Sequence, residues 1–202
     1  MQSLLIATSN QGKYNEIMQM LLPLPIKLYS LKDKNIDMSD FVENGETYQD
    51  NSRMKAQYAA IQAQMMTLAD DSGIVVNALE GELGVKTRRW GAGEHASDQE
   101  WVDYFLNRMK DEKDRSAKFI CSAYLVEANG SVLYDAMGET EGVLANKLMA
   151  PIKSGIPLSS LFVPNGFDFC YAALSEHQKN MISHRGKAMA KVREYLSNKV
   201  QP

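Results

Sequence analysis

The pattern of apolar and polar residues predicts an alternation of short strands and amphipathic helices. An apolar run at residues 3–7 predicts a first strand, and KYNEIMQMLL at residues 13–22 predicts the helix that follows it. Thr47 followed by Asp50 forms a weak capping box, which predicts the start of a second helix. The apolar positions that recur in this helix at helical spacing are Met54, Tyr58, Ile61 and Met65.

The middle of the chain is rich in predicted strands. Residues 67–79, TLADDSGIVVNAL, predict a strand, an acidic turn and a second strand. Residues 117–128 and 131–139 are two further β-rich runs, and the Asn129-Gly130 dipeptide between them strongly indicates a hairpin. Because a tight hairpin joins antiparallel strands, at least part of the sheet is expected to be antiparallel.

Two more helical segments complete the pattern. Ser97 followed by Glu100 is a capping signal that predicts a third helix. Residues 175–196 are helical in pattern, with a predicted break near Ser183. Strands and helices are thus mixed along the chain, which predicts an α/β fold with a mixed sheet rather than a purely parallel one.

Composition narrows the class of protein. The chain has 202 residues, of which 45% are hydrophobic and 23% charged, so residues 1–202 are expected to form a single domain with a substantial core. A net charge of −3 argues against a dedicated nucleic-acid-binding protein, which usually carries a basic excess. Cys121 and Cys170 lie outside any CxxC motif, and a reducing, cytoplasmic setting fits best. No run reaches the ~18–20 apolar residues of a membrane span, and no signal peptide is expected.

The stretch TSNQGK, residues 8–13, lies between the first predicted strand and the first predicted helix. Such a loop presents unpaired backbone N–H groups and the positive end of the helix dipole, which together favour an anion. Thr8, Ser9 and Asn10 add short polar side chains, Gly12 allows close approach, and Lys13 adds a positive charge. The alternative is an ordinary strand-to-helix connection with a solvated lysine. The loop does not match the GxxxxGK[ST] phosphate-binding motif.

Adjacent carboxylates form the second candidate, in ADDSG at residues 69–73. Asp70 and Asp71 would point to opposite faces of a strand, so that one faces a cleft and the other supports the turn. A carboxylate at a strand end can hold Mg²⁺, which prefers oxygen ligands and leaves water for a phosphate substrate. The alternative is a simple turn, since Asp, Ser and Gly all favour turns. The upstream acids that are candidates to complete a metal site are Glu43, Glu46 and Asp50, and most of them are expected to be solvated.

Basic residues near the end of the chain form the third candidate. Lys179, His184 and Arg185 gather around the predicted helix start at Ser183. Arg binds phosphates or base carbonyls with paired donors, and His can donate to a base edge or move a proton. The alternative is a helix with solvated basic residues and one packed histidine. Lys55, on the second helix, could reach a phosphate in the same way, and its alternative is a surface position.

Taken in order, TSNQGK, ENGETYQDNSRMKA, ADDSG, GELGVKTRRW and FVPNGFDFCYAALSEHQKNMISHRGKA resemble the inosine triphosphate pyrophosphatase family from residue 4 to about residue 196. This resemblance implies an elongated mixed β-sheet with flanking helices, two lobes around a central cleft, and usually a homodimer. It implies Mg²⁺-dependent hydrolysis of non-standard purine nucleoside triphosphates to the monophosphate and pyrophosphate, through attack of water on the α-phosphorus.

The resemblance also assigns residues to the two ends of the site. At the triphosphate end it places Thr8, Asn10, Lys13 and Lys55, with Ser9, Gln11 and Gly12 in the same loop. Glu43 and Asp71 hold Mg²⁺, Asp71 is also the base for the attacking water, and Ser72 touches the substrate. Lys179, His184 and Arg185 line the base pocket. Two choices stay open: Glu43 or Glu46 as the metal ligand, and Arg88 or Arg89 at the edge of the cleft.

One segment departs from the family pattern. Members usually carry an aromatic-Gly-aromatic-Asp run before the FVP segment, where this chain has GIPLSS at residues 155–160. Ile156 replaces the aromatic that stacks on the base, and Ser159 replaces the Asp. Either the pocket takes a different or modified base, or another aromatic stacks instead; the candidates are Phe162, Phe167 and Trp90. The alternative functions are therefore a related pyrophosphatase with other (deoxy)nucleotide substrates and a non-catalytic nucleotide-binding protein.

Overall fold

The computed structural model describes residues 2–85, 90–93 and 95–200, and within them six strands form one mixed sheet in the order β2-β1-β3-β4-β5-β6. The strands are β1 (Gln2–Ile6), β2 (Ile26–Ser30), β3 (Thr67–Val76), β4 (Ser116–Val126), β5 (Val132–Leu144) and β6 (Phe162–Pro164). β1 runs parallel to β2 and β3, whereas β3, β4, β5 and β6 are successively antiparallel. The mixed α/β sheet predicted from the sequence is confirmed.

Five helices flank this sheet in the described part of the chain. They are α1 (Gln11–Leu21), α2 (Tyr48–Ala63), α3 (Asp98–Arg108), α4 (Glu176–Ile182) and α5 (His184–Val200). Thr47 and Ser97 cap α2 and α3 as predicted, each accepting a hydrogen bond from the backbone N–H three residues on. The predicted break at Ser183 is also confirmed, since Ser183 separates α4 from α5. Among the described residues, no helix combines the length and the apolar character that crossing a bilayer requires.

The apolar clusters divide the molecule into two lobes. In the first lobe, α1 and α5 pack on one face of the sheet around Leu4 and Ile6, and α2 packs on the other face around Leu5. These contacts follow from the alternation of side chains along β1. In the second lobe, α3 packs against the far ends of β3, β4 and β5 and against Phe162 of β6. β3 is long enough to belong to both lobes, and Asp70–Gly73 lie at the crossing.

The acidic turn predicted within residues 67–79 is wrong. β3 continues through it, and Asp70, Asp71 and Ser72 pair in register with Ala123, Ser122 and Cys121 of β4. The local preference of Asp, Ser and Gly for turns is overridden because the antiparallel ladder with β4 supplies backbone hydrogen bonds along the whole stretch. The prediction that the two carboxylates lie on a strand with opposite orientations is therefore retained without the turn.

The apolar stripe predicted for the second helix is also wrong. Ile61 is 55% exposed, and Met65 lies beyond the end of α2 at Ala63. The buried face consists of small side chains, among them Ala56, Ala59 and Ala60. Small residues allow the helix axis to lie close to β3 and β4, so that its polar residues can reach the strand surface.

Two glycines are required by the fold, one for its backbone conformation and one for a close backbone approach. Gly130 ends the predicted hairpin turn with φ +83°, a conformation that glycine adopts without strain. At Gly138 of β5, a Cβ atom would lie 2.0 Å from the carbonyl oxygen of His184. Glycine at this position therefore lets the start of α5, with His184 and Arg185, rest directly on the sheet.

Candidate active site

A cavity of about 550 Å³ lies where β3 crosses between the lobes. Its lining includes thirteen of the predicted site residues, which are Thr8, Ser9, Asn10, Lys13, Glu43, Lys55, Asp71, Ser72, Ile156, Ser159, Lys179, His184 and Arg185. Residues from both ends and from the middle of the sequence thus meet at one cavity, as the sequence predicts.

Other predicted residues lie elsewhere. Gln11 and Gly12 belong to the first turn of α1 rather than to a loop, and neither is among the cavity-lining residues. The side chain of Gln11 donates to Asn15 at the exposed surface, at 2.8 Å. Glu46 is exposed and does not line the cavity, whereas Glu43 does. Arg88 and Arg89 lie outside the described residues.

The loop before α1 is held by its own polar side chains. Thr8 accepts a hydrogen bond from the Asn10 N–H at 3.2 Å, and the Asn10 side chain accepts one from the Lys13 N–H at 3.1 Å. Asn10 is therefore the N-cap of α1, which begins two residues earlier than predicted. Lys13 then lies in the first helical turn, and its ammonium is 3.5 Å from Asp70 Oδ2. This arrangement puts a helix N-terminus and one lysine at the same end of the cavity.

Asp70 is fully buried in a network of opposite charges. Its Oδ2 accepts from Arg185 Nε at 3.1 Å and pairs with Lys13. Burial raises the pKa of Asp70, but the nearby Lys13 and Arg185 outweigh it and hold that pKa well below its ordinary value. The lowered pKa favours the ionised form of Asp70, which neutralises Lys13 and Arg185, and Asp70 is absent from the cavity lining.

Glu16 extends this network, although the sequence reasoning missed it. It pairs with Lys179 and also with Arg185 Nη1, from a position one turn after Lys13 on α1. Arg185 Nη2 donates to Ser72 Oγ at 2.8 Å, so all three guanidinium nitrogens are engaged by protein groups. The spacing of three residues from Lys13 put Glu16 on the same helix face, a signal that was available in the sequence. The guanidinium of Arg185 is thus held in place by Glu16, Asp70 and Ser72.

Asp71 is the next residue of β3, but its surroundings raise its pKa instead of lowering it. Its Oδ2 accepts from Asn51 Nδ2 at 3.1 Å, and its Oδ1 accepts from the Ser72 N–H at 2.9 Å. Burial raises the pKa of Asp71 above its ordinary value; Lys13 and Lys55 oppose this rise, and the Glu43 carboxylate adds to it. A carboxylate in a cleft with a raised pKa has the properties of a general base.

Lys55 lies beside the two acidic residues of this part of the cavity, Glu43 and Asp71. Its ammonium pairs with Glu43 and donates to the carbonyl oxygen of Asp70 at 3.1 Å. Burial lowers the pKa of Lys55, but Glu43, Asp71 and Asp70 more than compensate, so that the pKa is raised and the lysine stays charged. The alternative of a surface lysine is therefore wrong, since only 12% of the side chain is exposed.

The residues present fit a divalent cation in their chemistry. Glu43 and Asp71 are carboxylates on the cavity wall, close enough for Glu43 to raise the pKa of Asp71. A hard cation such as Mg²⁺ favours such oxygen ligands and keeps several waters, so it does not need a closed protein cage. Within the described ranges no group of three or more His, Cys, Asp and Glu residues forms a complete cage.

Aromatic rings surround His184 at the other end of the cavity. Its ring stacks on Phe119, with centroids 4.7 Å apart and planes at 15°, and lies 6.2 Å from the ring of Tyr171. Burial lowers the pKa of His184 well below its ordinary value, and Arg185 and Lys179 lower it further. His184 is therefore neutral, and its buried Nδ1 has no hydrogen-bond partner among the described residues.

The divergent segment forms part of the same wall without offering a polar side chain. The Ser159 hydroxyl turns back and donates to the Ile156 carbonyl oxygen at 2.6 Å, while Ile156 faces the cavity. None of the aromatics considered from the sequence as replacements lines the cavity. Phe162 is fully buried beneath Phe119, and Trp90 packs on α3. The aromatic residues that do line the cavity are Phe41, Trp101, Phe119 and Tyr171.

Comparison with known proteins gives matches along the whole chain. The Ham1 family pattern matches residues 4–195. A "dITP/XTP pyrophosphatase" of Methylacidiphilum infernorum is 32% identical over 204 residues, covering 100% of this chain and 98% of the relative. A "dITP/XTP pyrophosphatase" of Clostridium tetani is 35% identical over 205 residues, covering 100% and 99%. The solved structure of a HAM1 protein from Coxiella burnetii has a TM-score of 0.83 and 32% identity, covering 98% of this chain and 100% of that one.

Proposed function

The chain belongs to the Ham1 family, and from this membership we propose that it hydrolyses non-standard purine nucleoside triphosphates, such as ITP, dITP and XTP. The products are the nucleoside monophosphate and pyrophosphate. The observation that carries this proposal is the shared cavity. Lys13, Lys55 and Asp71 line it together with an aromatic end formed by Phe119 and Tyr171, which suits a polyphosphate joined to a base.

The triphosphate lies at the end where α1 begins. The N-terminus of α1 and the ammonium groups of Lys13 and Lys55 provide positive potential there, and Thr8 and Ser9 supply hydroxyl groups. Positive groups aimed at developing negative charge are usually the largest contribution to catalysis of this type. No covalent intermediate with the protein is needed.

Glu43 and Asp71 hold Mg²⁺ in this proposal. When bound, the cation would neutralise phosphate charge and help to orient the substrate. Glu43 is preferred to Glu46 because it lines the cavity and Glu46 does not. The pairing of Glu43 with Lys55 keeps the side chain in place beside Asp71.

Asp71 accepts the proton of the attacking water. The water oxygen forms a bond to the α-phosphorus, the bond from that phosphorus to the bridging oxygen breaks, and pyrophosphate leaves with the bonding electrons. The raised pKa of Asp71 makes its carboxylate a stronger base than an ordinary aspartate. The hydrogen bond from Asn51 fixes its orientation.

The base lies against Phe119 and Ile156, with His184 and Lys179 at its edge. A neutral His184 can hydrogen-bond to the base without adding charge, and its unpartnered nitrogen is consistent with such a role. Arg185 holds Ser72 and Glu16 and acts on the substrate through them. Ser159 supports the fold of the loop through its bond to Ile156.

A product assay tests the reaction. Purified protein with Mg²⁺ is incubated with ITP, dITP and XTP, and orthophosphate is measured with and without added inorganic pyrophosphatase. We expect phosphate only when pyrophosphatase is present, together with the monophosphate. Release of orthophosphate alone, or no turnover of any nucleotide, rejects the proposal.

A second candidate function is the same reaction on other or modified (deoxy)nucleoside triphosphates. It is favoured by the apolar Ile156 and the inward-turned Ser159, which leave the base wall without an aromatic or a carboxylate at these positions. Adding dATP, dCTP, dUTP and base-modified nucleotides to the same assay separates the two, because the preferred substrate has the highest kcat/KM. Tight binding of every nucleotide without turnover would instead support a non-catalytic binding protein.

Three broader expectations belong to this proposal. The chain works as a single domain over residues 1–202, it forms a homodimer, and it acts in the cytoplasm. Sedimentation analysis of the purified protein tests the dimer, and a single cooperative unfolding transition tests the single domain.

A further inference from the structure

Gly155 lies between the two lobes and is hydrogen-bonded to each of them. Its carbonyl oxygen accepts from Asn10 Nδ2 at 2.8 Å, and its N–H donates to Asp98 Oδ2 at 2.7 Å. Asn10 caps α1 in the first lobe, whereas Asp98 is the first residue of α3 in the second lobe. Gly155 is therefore one point, within the described part of the chain, at which the loop before α1 is joined to the second lobe.

The fit around this residue is close. Gly155 has φ +75°, and a Cβ atom there would lie 2.6 Å from Asn10 Oδ1. One residue before it, the Ser154 carbonyl oxygen lies 2.9 Å from where a Cβ on Gly12 would be. A side chain at either position would force one of the two segments to shift, so glycine is favoured at both.

The hydrogen bonds of Gly155 to Asn10 and Asp98 connect the two ends of the cavity. Asn10 uses its oxygen to cap Lys13 and its amide nitrogen to hold Gly155, so that the same side chain fixes the phosphate end and the base wall. Ile156, the next residue, faces the cavity. The position of Ile156 relative to Lys13 thus depends on Asn10 from one side and on Asp98 from the other.

We propose that Asp98 is a positioning residue that sets the distance between the triphosphate end and the base end of the cavity by holding Gly155. This inference rests on the proposed function and adds a residue on α3 that is not a cavity-lining residue. A carboxylate that accepts a backbone N–H at 2.7 Å makes a short, charge-assisted hydrogen bond, which is stronger than a neutral one. Its loss lets Gly155 and Ile156 move away from the base.

The test separates the base end from the phosphate end. In Asp98→Ala we expect the KM for ITP to rise about tenfold, with kcat changed by less than about threefold. Inorganic tripolyphosphate, which has no base, should inhibit this variant with an unchanged Ki. Asp98→Asn retains an oxygen acceptor and should restore KM to within about threefold of the wild type.

The matched control is Asp103→Ala on the same helix. Asp103 is exposed and bonds only to Gln99 among the contacts described, so its loss should leave KM and kcat unchanged. An unchanged KM in Asp98→Ala overturns the proposal. A parallel rise in the Ki of tripolyphosphate also overturns it, because a general loss of structure affects both ends.

Hydrogen exchange on the wild-type protein keeps the proposal testable if Asp98→Ala does not fold. With ¹⁵N-glycine labelling, the Gly155 amide should exchange at least about tenfold more slowly than the amide of Gly166. Exchange at the same rate as Gly166 shows that the Asp98 bond is not maintained and overturns the inference. If the wild type hydrolyses no nucleotide, the proposed function is rejected. The exchange rate of the Gly155 amide then decides by itself whether the hydrogen bond between Asp98 and Gly155 is maintained.

Discussion

Asp70 and Asp71 are neighbours on one strand, yet their surroundings give them opposite properties. Asp70 lies between Lys13 and Arg185, and its pKa is held low because these cations outweigh burial. Asp71 faces the cavity beside Glu43, and its pKa is raised because burial and a second carboxylate outweigh the nearby lysines. The two residues differ in which face of β3 their side chains occupy.

The two environments indicate different roles, a structural one for Asp70 and the proposed catalytic one for Asp71. A buried anion with matched cations cannot change its protonation state without disrupting the fold, so Asp70 serves the architecture of the site. A carboxylate with a raised pKa in a cavity can exchange a proton with a substrate water at little cost to the fold. Mutations of the two residues should therefore have opposite patterns of effect on activity and stability.

The largest expected effect is on turnover in Asp71→Asn. Loss of the proposed base and of a proposed metal ligand should lower kcat by roughly 10³- to 10⁴-fold. The free energy of unfolding should change by less than about 1 kcal/mol, since an amide still accepts one of the two hydrogen bonds. Steady-state kinetics and urea denaturation measure both quantities. Wild-type turnover in this variant would remove Asp71 from its assigned role.

Asp70→Asn should show the reverse pattern, a loss of stability of about 3–5 kcal/mol. The neutral amide removes the buried counter-charge of Lys13 and leaves Arg185 paired with Glu16 alone. Urea denaturation provides the measurement, with exposed Asp103→Asn as the control that should unfold like the wild type. If Asp70→Asn is as stable as the wild type, Asp70 and Asp71 do not differ in the way described.

A smaller effect is expected for Glu43→Gln. The Mg²⁺ concentration for half-maximal activity should rise about tenfold, because one of two proposed carboxylate ligands loses its charge. Glu46→Gln is the matched control, three residues away and exposed, and should leave the Mg²⁺ requirement unchanged. A rise in the control but not in Glu43→Gln would exchange the two assignments.

The smallest effect concerns the pH dependence of stability through His184. The folded protein keeps this residue neutral, whereas the unfolded chain binds a proton below a pH of about 6.5. Stability is therefore lost as the pH falls from about 6.5 toward the lower pKa of the folded state, by at most about 1.4 kcal/mol per pH unit. Asp70 and Glu16 have lowered pKa values and stay paired with Arg185 in this range.

His184→Phe should reduce this slope, since a phenyl ring can occupy the same place beside Phe119 without titrating. Urea denaturation of both proteins between pH 7 and pH 5.5 tests the difference in slope. An identical pH dependence in the variant would indicate that His184 already carries a proton in the folded state.

Much of the fold was predictable from local pattern. The hairpin at Asn129-Gly130, the caps at Thr47 and Ser97 and the break at Ser183 all depend on residues close in sequence, and all were predicted correctly. The acidic turn at Asp70 was predicted wrongly because the pairing partner that straightens it lies on β4, outside any local window.

The candidate site was predictable in membership but not in its internal contacts. The family resemblance placed Lys13, Asp71 and His184 in one site, and all three line the cavity. The sequence did not decide whether Glu43 or Glu46 lines the cavity, because both lie in the same short segment, ENGET. Glu16, Asn51 and Asp98 were missed, since each is an ordinary helix residue until its partner is known.

The sequence by itself determined the chemistry that the chain carries, namely the cations, carboxylates and loop that suit a polyphosphate, and the family they resemble. Only the tertiary structure decided which of those groups pair with one another and which face the cavity. Arg185 meets Glu16 across 169 positions, and Asn10 meets Gly155 across 145. The charge state of a buried group depends on what surrounds it in space, and contacts over such separations exist only after the sheet has brought both ends of the chain to β3.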